Sequence, residues 1–207
     1  SSTHNNAADQ VVSLEDYVSR MQKDQKSIYY IIADNFQAAK NSPHLEIFNK
    51  KGIEVLLLSD RVDEWLTSHL MEFDGKPMKS IVKGELDIDP SDNEKDKKKQ
   101  EKAKKDFEGI TSQVKEVLGD QVSEVRVTNR LTDSPACVVS EDNGMSMHLQ
   151  RMMAQAGQTN PMMGMGMNKP VFEVNPEHKL VKQLKDKQDD KEFAQWTELL
   201  FQQATLA

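Results

Sequence analysis

The chain has 207 residues, of which 37% are apolar and 29% charged, and a formal net charge of -7. That length suits one or two compact domains, and the acidic balance disfavours broad attraction to nucleic acid or to anionic membranes. Cys137 is the single cysteine, which excludes an internal disulfide and fits a reducing cytoplasm; no apolar run approaches the roughly 18 residues that span a bilayer, and nothing resembles a signal peptide.

In chain order, Ser13 is placed to cap a helix with Glu15 and Asp16 in its first turn, and the β-branched and aromatic run at 28–32 predicts a buried strand. A short helix over 36–40 follows. Ser42 and Pro43 pair as cap and first turn of the next helix, which runs through Leu45 and Phe48 to a stop at Gly52, ahead of a second strand at 53–58. Two strands joined by helices imply a parallel sheet. Asp60 caps another helix, in which Val62, Trp65, Leu66, His69, Leu70 and Phe73 recur at the spacing of one apolar face. A third strand near 79–82 would complete a small three-layer α/β subdomain over residues 1–88. The run Asp89-Pro90-Ser91-Asp92 marks the boundary.

Residues 89–207 read as a mixed α+β domain with a small sheet. A charged helix carries Phe107, Ile110, Val114, Val117 and Leu118 on one side and ends at Gly119. Strands are predicted at 122–128, 136–140 and 171–174, with the turn Thr132-Asp133-Ser134-Pro135 between the first two. A short helix opens at Pro176, and a last helix aligns Phe193, Trp196, Leu200, Phe201 and Ala204 along one stripe, ending without a Gly or Pro stop signal, so a chain truncated there is expected.

Eight of the eleven methionines fall between Met145 and Met167. Met145, Leu149, Met152, Met153 and Ala156 share one helical face, which fits either an ordinary core or an adaptable apolar binding surface. Flexible thioethers remould around partners of different shape, which points to binding of low selectivity rather than to catalysis. No phosphate-loop, dinucleotide or nucleophile-elbow motif is present. The scattered histidines and lone cysteine offer no zinc spacing. Asp60 and Asp63 serve better as capping residues than as a catalytic pair, so neither catalytic nor metal-binding residues are assigned. Two alternatives stay open: a copper(I) site in the run Met162-Met163-Gly164-Met165-Gly166-Met167, and a small α/β enzyme of unrecognised type. The lysine-rich stretch 95–105 contains acids and lacks interleaved aromatics, as a solvated helix face does, and no nucleic-acid partner is assigned to it.

Ser42-Pro43-His44-Leu45-Glu46, Lys50-Lys51-Gly52-Ile53-Glu54-Val55-Leu56-Leu57-Leu58, Asp60-Arg61-Val62-Asp63-Glu64-Trp65 and Phe73-Asp74-Gly75-Lys76 resemble the late middle domain of the heat-shock protein 90 chaperones in their bacterial form. Arg130-Leu131-Thr132-Asp133-Ser134-Pro135, the helix at 145–156 and Asn175-Pro176-Glu177-His178 resemble the same family's carboxy-terminal domain. The resemblance implies a fragment of an ATP-dependent, dimeric stress-response chaperone. Its nucleotide pocket and hydrolysis-assisting arginine would precede this chain, so ATP and magnesium are expected for the full-length protein and no cofactor for this piece. It also implies client contact by Glu64, Trp65, Met145, Leu149, Met152 and Met153. Dimerisation is implied through Phe193, Trp196, Leu200 and Phe201 in a helical bundle. The implied partners are partly unfolded clients, a second copy and co-chaperones, without membrane contact.

Overall fold

The branched and aromatic run Ile28–Ile32 becomes β1, the strand around which the first sheet is built. The structure, a computed structural model, describes residues 1–8, 12–84, 94–141, 169–187 and 191–206. Its first part contains α1 (Leu14–Arg20), β1, α2 (Phe36–Lys40), a 3-10 turn (Pro43–Leu45), α3 (Glu46–Lys51), β2 (Leu56–Leu58), α4 (Arg61–His69), β3 (Glu72–Phe73) and β4 (Lys76–Ser80). Strand order is β2-β1-β4-β3, with β1 parallel to both neighbours and β3 antiparallel to β4.

The expected parallel sheet is therefore mixed. Asp74 and Gly75 take φ values of 50° and 68°, which allow a two-residue hairpin turn and double the chain back beside β4. The third strand also starts earlier than the expected 79–82, at Lys76. Both faces of this sheet are covered. Tyr29, Ile31, Val55 and Leu57 pack with Ala39, Leu45 and Phe48 from the helical segments between β1 and β2, whereas Ile28 and Leu56 pack with Tyr17 of α1.

Capping follows the sequence. Ser13 accepts the Asp16 N–H at 3.0 Å. Gly52, at φ 64°, ends α3 in a left-handed conformation that a side chain would strain. Asp63 accepts the Asp60 N–H at 2.8 Å and closes the first turn of α4.

The second sheet contains β5 (Glu124–Val127), β6 (Ala136–Val139) and β7 (Val171–Val174) in the order β5-β7-β6. β7 lies parallel to β5 and antiparallel to β6. The helices α5 (Glu94–Leu118), α6 (Lys179–Asp186) and α7 (Phe193–Leu206) accompany it. Phe172 and Val174 of β7 point to one face, where they join Phe107, Ile110, Val114 and Leu118 of α5 and Phe193, Leu200 and Phe201 of α7 in one core. The expected α5 stripe is thus buried apart from Val117, which packs at its margin. Among the described residues, no apolar cluster mixes side chains from before Gly84 with side chains from after Glu94. Each sheet has its own apolar packing.

Tyr17 anchors α1 through its hydroxyl, which donates to the Glu54 carbonyl at 2.6 Å and accepts from Gln25 Nε2 at 3.0 Å and from the Tyr29 N–H at 3.1 Å. Burial outweighs these bonds and pushes its pKa up to about 12. Tyr17→Phe leaves those partners without the hydroxyl while keeping the ring in place. We expect a loss of about 1–3 kcal/mol in urea unfolding, with unchanged slope; a loss near zero would mean that water replaces the hydroxyl.

Candidate functional site

The apolar face of α4 points outward. Val62 is 58%, Trp65 61% and Leu66 39% exposed, while Asp63 and Thr67 are buried on the opposite side. Thr67 Oγ1 donates to the Asp63 carbonyl at 2.9 Å, and the Tyr30 side chain of β1 hydrogen-bonds to Thr67. Polar contacts therefore back the helix, and its solvent side carries Val62, Trp65, Leu66 and His69 of the expected stripe, whereas the helix ends before Phe73, which lies in β3 and packs with Tyr17. The His69 ring lies against Trp65 with centroids 4.5 Å apart and its Nδ1 is 2.8 Å from the Trp65 carbonyl, so the indole rests on a neighbouring ring. Met71, just beyond the helix, is 68% exposed. Glu64 is half-buried on the same helix.

On α7 the expected stripe divides. Phe193, Leu200 and Phe201 are buried in the core of the second sheet, and Phe172 meets Phe201 edge-on at 5.4 Å. Three of the four residues expected at the pairing surface are thus taken up by the core, because the small sheet needs a helix on its Phe172 face. Trp196, Leu199 and Leu206 are the exposed apolar residues of α7. Leu180, Leu184, Trp196 and Leu200 line a shallow apolar cleft between α6 and α7, with Lys187 at its rim. Met145, Leu149, Met152 and Met153, and the Met-Gly run, lie outside the described residues. Among the described residues no cluster of His, Cys, Asp or Glu could hold a metal ion, and no helix is long and apolar enough to cross a membrane.

A polar joint that periodicity could not reveal links the two sheets. Glu173, on the face of β7 opposite Phe172, is 2% exposed. Its carboxylate accepts from Arg130 Nε at 2.9 Å and from Arg126 Nη2 at 2.7 Å. Arg130, itself buried, donates through Nη1 to the Ile81 carbonyl at 2.5 Å and through Nη2 to the Gly84 carbonyl at 2.6 Å. Burial alone would push the Glu173 carboxyl up, but the two guanidinium charges outweigh it and hold it below the usual range. The neighbouring Cys137 thiol is pushed up by burial and by the Glu173 charge, which removes thiolate reactivity.

Glu46, the first residue of α3, completes the joint from the other side. Its carboxylate accepts the N–H groups of Thr132 at 2.6 Å, Asp133 at 2.8 Å and Ser134 at 3.0 Å, and the Ser134 hydroxyl at 2.5 Å. Burial raises its pKa, yet these donors lower it further, so it stays ionised. Two motifs recognised separately in the sequence, Ser42-Pro43-His44-Leu45-Glu46 and Arg130-Leu131-Thr132-Asp133-Ser134-Pro135, are thus partners in space. Gly84 N–H to the Ser140 carbonyl at 2.9 Å and Ser140 N–H to the Val82 carbonyl at 3.0 Å add a short parallel bridge.

His44 is buried in the same joint, hydrogen-bonded to the Val138 backbone, and its Nδ1 has no partner among the described residues. Burial first, and the Arg130 charge second, lower its pKa to about 3. An unfolded imidazole takes up its proton near pH 6.5. The stabilising contribution of neutral His44 is therefore complete above pH 6.5 and is lost as pH falls towards 3. Between pH 6.5 and 5, above the range of the carboxylates, stability should fall by up to about 1.4 kcal/mol per pH unit, and His44→Gln should flatten that slope. Urea titrations at several pH values read this directly; equal slopes in both proteins would remove His44 as the cause.

Comparison with known proteins agrees with these motifs. The family described as Hsp90 protein matches residues 1–207. The chain is 58% identical over 207 residues to the chaperone protein HtpG of Pseudoalteromonas translucida, covering all of this chain and 32% of the relative. It is 56% identical over 206 residues to HtpG of Burkholderia lata and 52% identical over 206 residues to HtpG of Nitrosococcus oceani, covering 31% and 32% of those relatives. The chain spans about a third of the length of the curated relatives it matches. With the family match running from the first residue to the last and over half of all positions shared with these relatives, the chain belongs to the Hsp90 protein family.

Proposed function

We propose that this chain is the late middle and carboxy-terminal portion of an ATP-dependent molecular chaperone, and that it binds partly unfolded client proteins through α4. The reading rests on one observation: α4 is packed by its polar side and leaves Val62, Trp65 and Leu66 to solvent. Covering a side chain of this size releases about 1.5–3 kcal/mol, so the stripe offers binding free energy that the fold itself leaves unused. Trp65 adds a broad rigid surface, and Glu64 lies beside it. Met145, Leu149, Met152 and Met153 are assigned to the same task from sequence, as an adaptable second surface. The relatives' name, chaperone protein, supports this reading.

In this reading residues 1–88 and 89–207 are two units, each built round one sheet, and the separation of their apolar clusters supports that division. The chain contributes client holding and pairing rather than hydrolysis. ATP and magnesium are assigned to the whole protein, as membership of the family implies. Pairing of two copies is assigned to α7, where Trp196 supplies the accessible part of the expected stripe together with Leu199 and Leu206, while Phe193, Leu200 and Phe201 fix the helix to its own core. The cytoplasm is the proposed setting, with client proteins and co-chaperones as partners.

Replacing Val62 and Trp65 together by Glu should weaken capture of a carboxymethylated, permanently unfolded protein at least about tenfold, equivalent to about 1.4 kcal/mol. The urea midpoint should move by less than about 0.5 kcal/mol, because both side chains are exposed. Fluorescence anisotropy measures the first and denaturation the second. Unchanged capture would end the α4 assignment.

Glu substitutions at Trp196 and Leu199 should weaken self-association about tenfold or more in sedimentation equilibrium, without unfolding. An unaltered association constant would place the interface elsewhere.

A further inference from the structure

We propose that Glu46 is a latch: its carboxylate, seated in the loop at 132–134, fixes the orientation of the second sheet relative to the first, and its release lets the two turn while each stays folded. The inference rests on the two-unit reading given above. Three observations lead to it. First, every donor to Glu46 in the loop lies 86 to 88 residues away in sequence, so these bonds join distant segments rather than stabilising α3 itself. Second, the apolar clusters of the two sheets are separate, so the joint is held by directional polar contacts that can be exchanged for water. Third, the loop is independently secured to the second sheet, where Asn175 Nδ2 donates to the Ser134 carbonyl at 3.1 Å and the Asn175 N–H donates to the Pro135 carbonyl at 2.8 Å. Losing Glu46 therefore frees the loop from α3 without freeing it from β7.

The remaining links are those at Ile81, Gly84 and Ser140, where Arg130 and the short bridge meet the first sheet, and the single hydrogen bond between His44 and the Val138 backbone. Contacts confined to one side of an interface allow rotation about them, whereas a second, separated contact blocks it. Glu46, beside His44, supplies most of the hydrogen bonds of that second contact, and it sets the angle at which the α4 stripe faces the second sheet.

Spin labels at exposed positions, introduced as Lys79→Cys on β4 and Gln203→Cys on α7, report this angle as a distance distribution. The native Cys137 is fully buried and stays unlabelled. With Glu46 intact the distribution should have one narrow peak. Glu46→Gln presents an amide NH2 group where ionised oxygen accepts, and the single peak should be lost, with Ser134→Ala falling between. Hydrogen exchange at β1 and β7 amides should remain slow in all variants. An unchanged distance distribution in Glu46→Gln overturns the latch. Faster exchange in both sheets overturns it too, because Glu46 would then stabilise folding instead of orientation. If β1 and β7 open together in the unmodified chain, the two-unit reading fails first.

Discussion

A buried carboxylate in the middle of a three-stranded sheet constrains nearly everything around it. Glu173 occupies β7, the central strand, where an unpaired charge would cost several kcal/mol. Cross-strand Arg126 meets one oxygen and Arg130 the other, so both oxygens are engaged. Arg130 then has donors to spare, and a buried guanidinium cannot leave them idle. They reach the carbonyls of Ile81 and Gly84, and satisfying a charge inside the second sheet thereby determines where the end of the first is held. Removing either member would leave the other charged and buried, which costs more than the pair itself contributes.

The same sheet separates its two faces by chemistry. Phe172 and Val174 take the apolar side and require α5 and α7 to cover them, whereas Glu173 takes the polar side and faces the joint. One-residue alternation along a strand thus assigns stability to one face and connection to the other. α4 shows the corresponding division in a helix. Thr67 attaches it to β1 through the hydrogen bond with the Tyr30 side chain, and its apolar residues are left free for a partner.

Where local pattern determines structure, the sequence was legible. The β1 run, the α5 stripe from Phe107 to Leu118 and the caps at Ser13 and Gly52 all appear at their expected positions. β3 was missed because two residues carry no period. The hairpin is encoded instead in Asp74-Gly75, whose positive φ values reverse the strand direction. For α4, periodicity identifies an apolar face but contains no information about which side meets the protein; that depends on Tyr30, more than 30 residues earlier. The joint was least legible of all. Its motifs were visible separately, but a polar pair separated by 86 residues has no local signature.

Separate apolar cores have a consequence for how binding surfaces can change. α4 is attached to the first sheet and α7 to the second, and no apolar cluster among the described residues connects them. Substitutions on distant surfaces without shared partners add nearly independently. A change in the exposed stripe of α4 can therefore alter affinity for a partner without disturbing the packing beneath Trp196, and the reverse also holds. Among the described residues, the polar joint connects the two sheets, and there Glu46 and Arg130 provide directional contacts instead of a deformable apolar interface. Directional bonds are made or broken within a few tenths of an ångström, so such a joint favours a small number of discrete orientations over a continuous range.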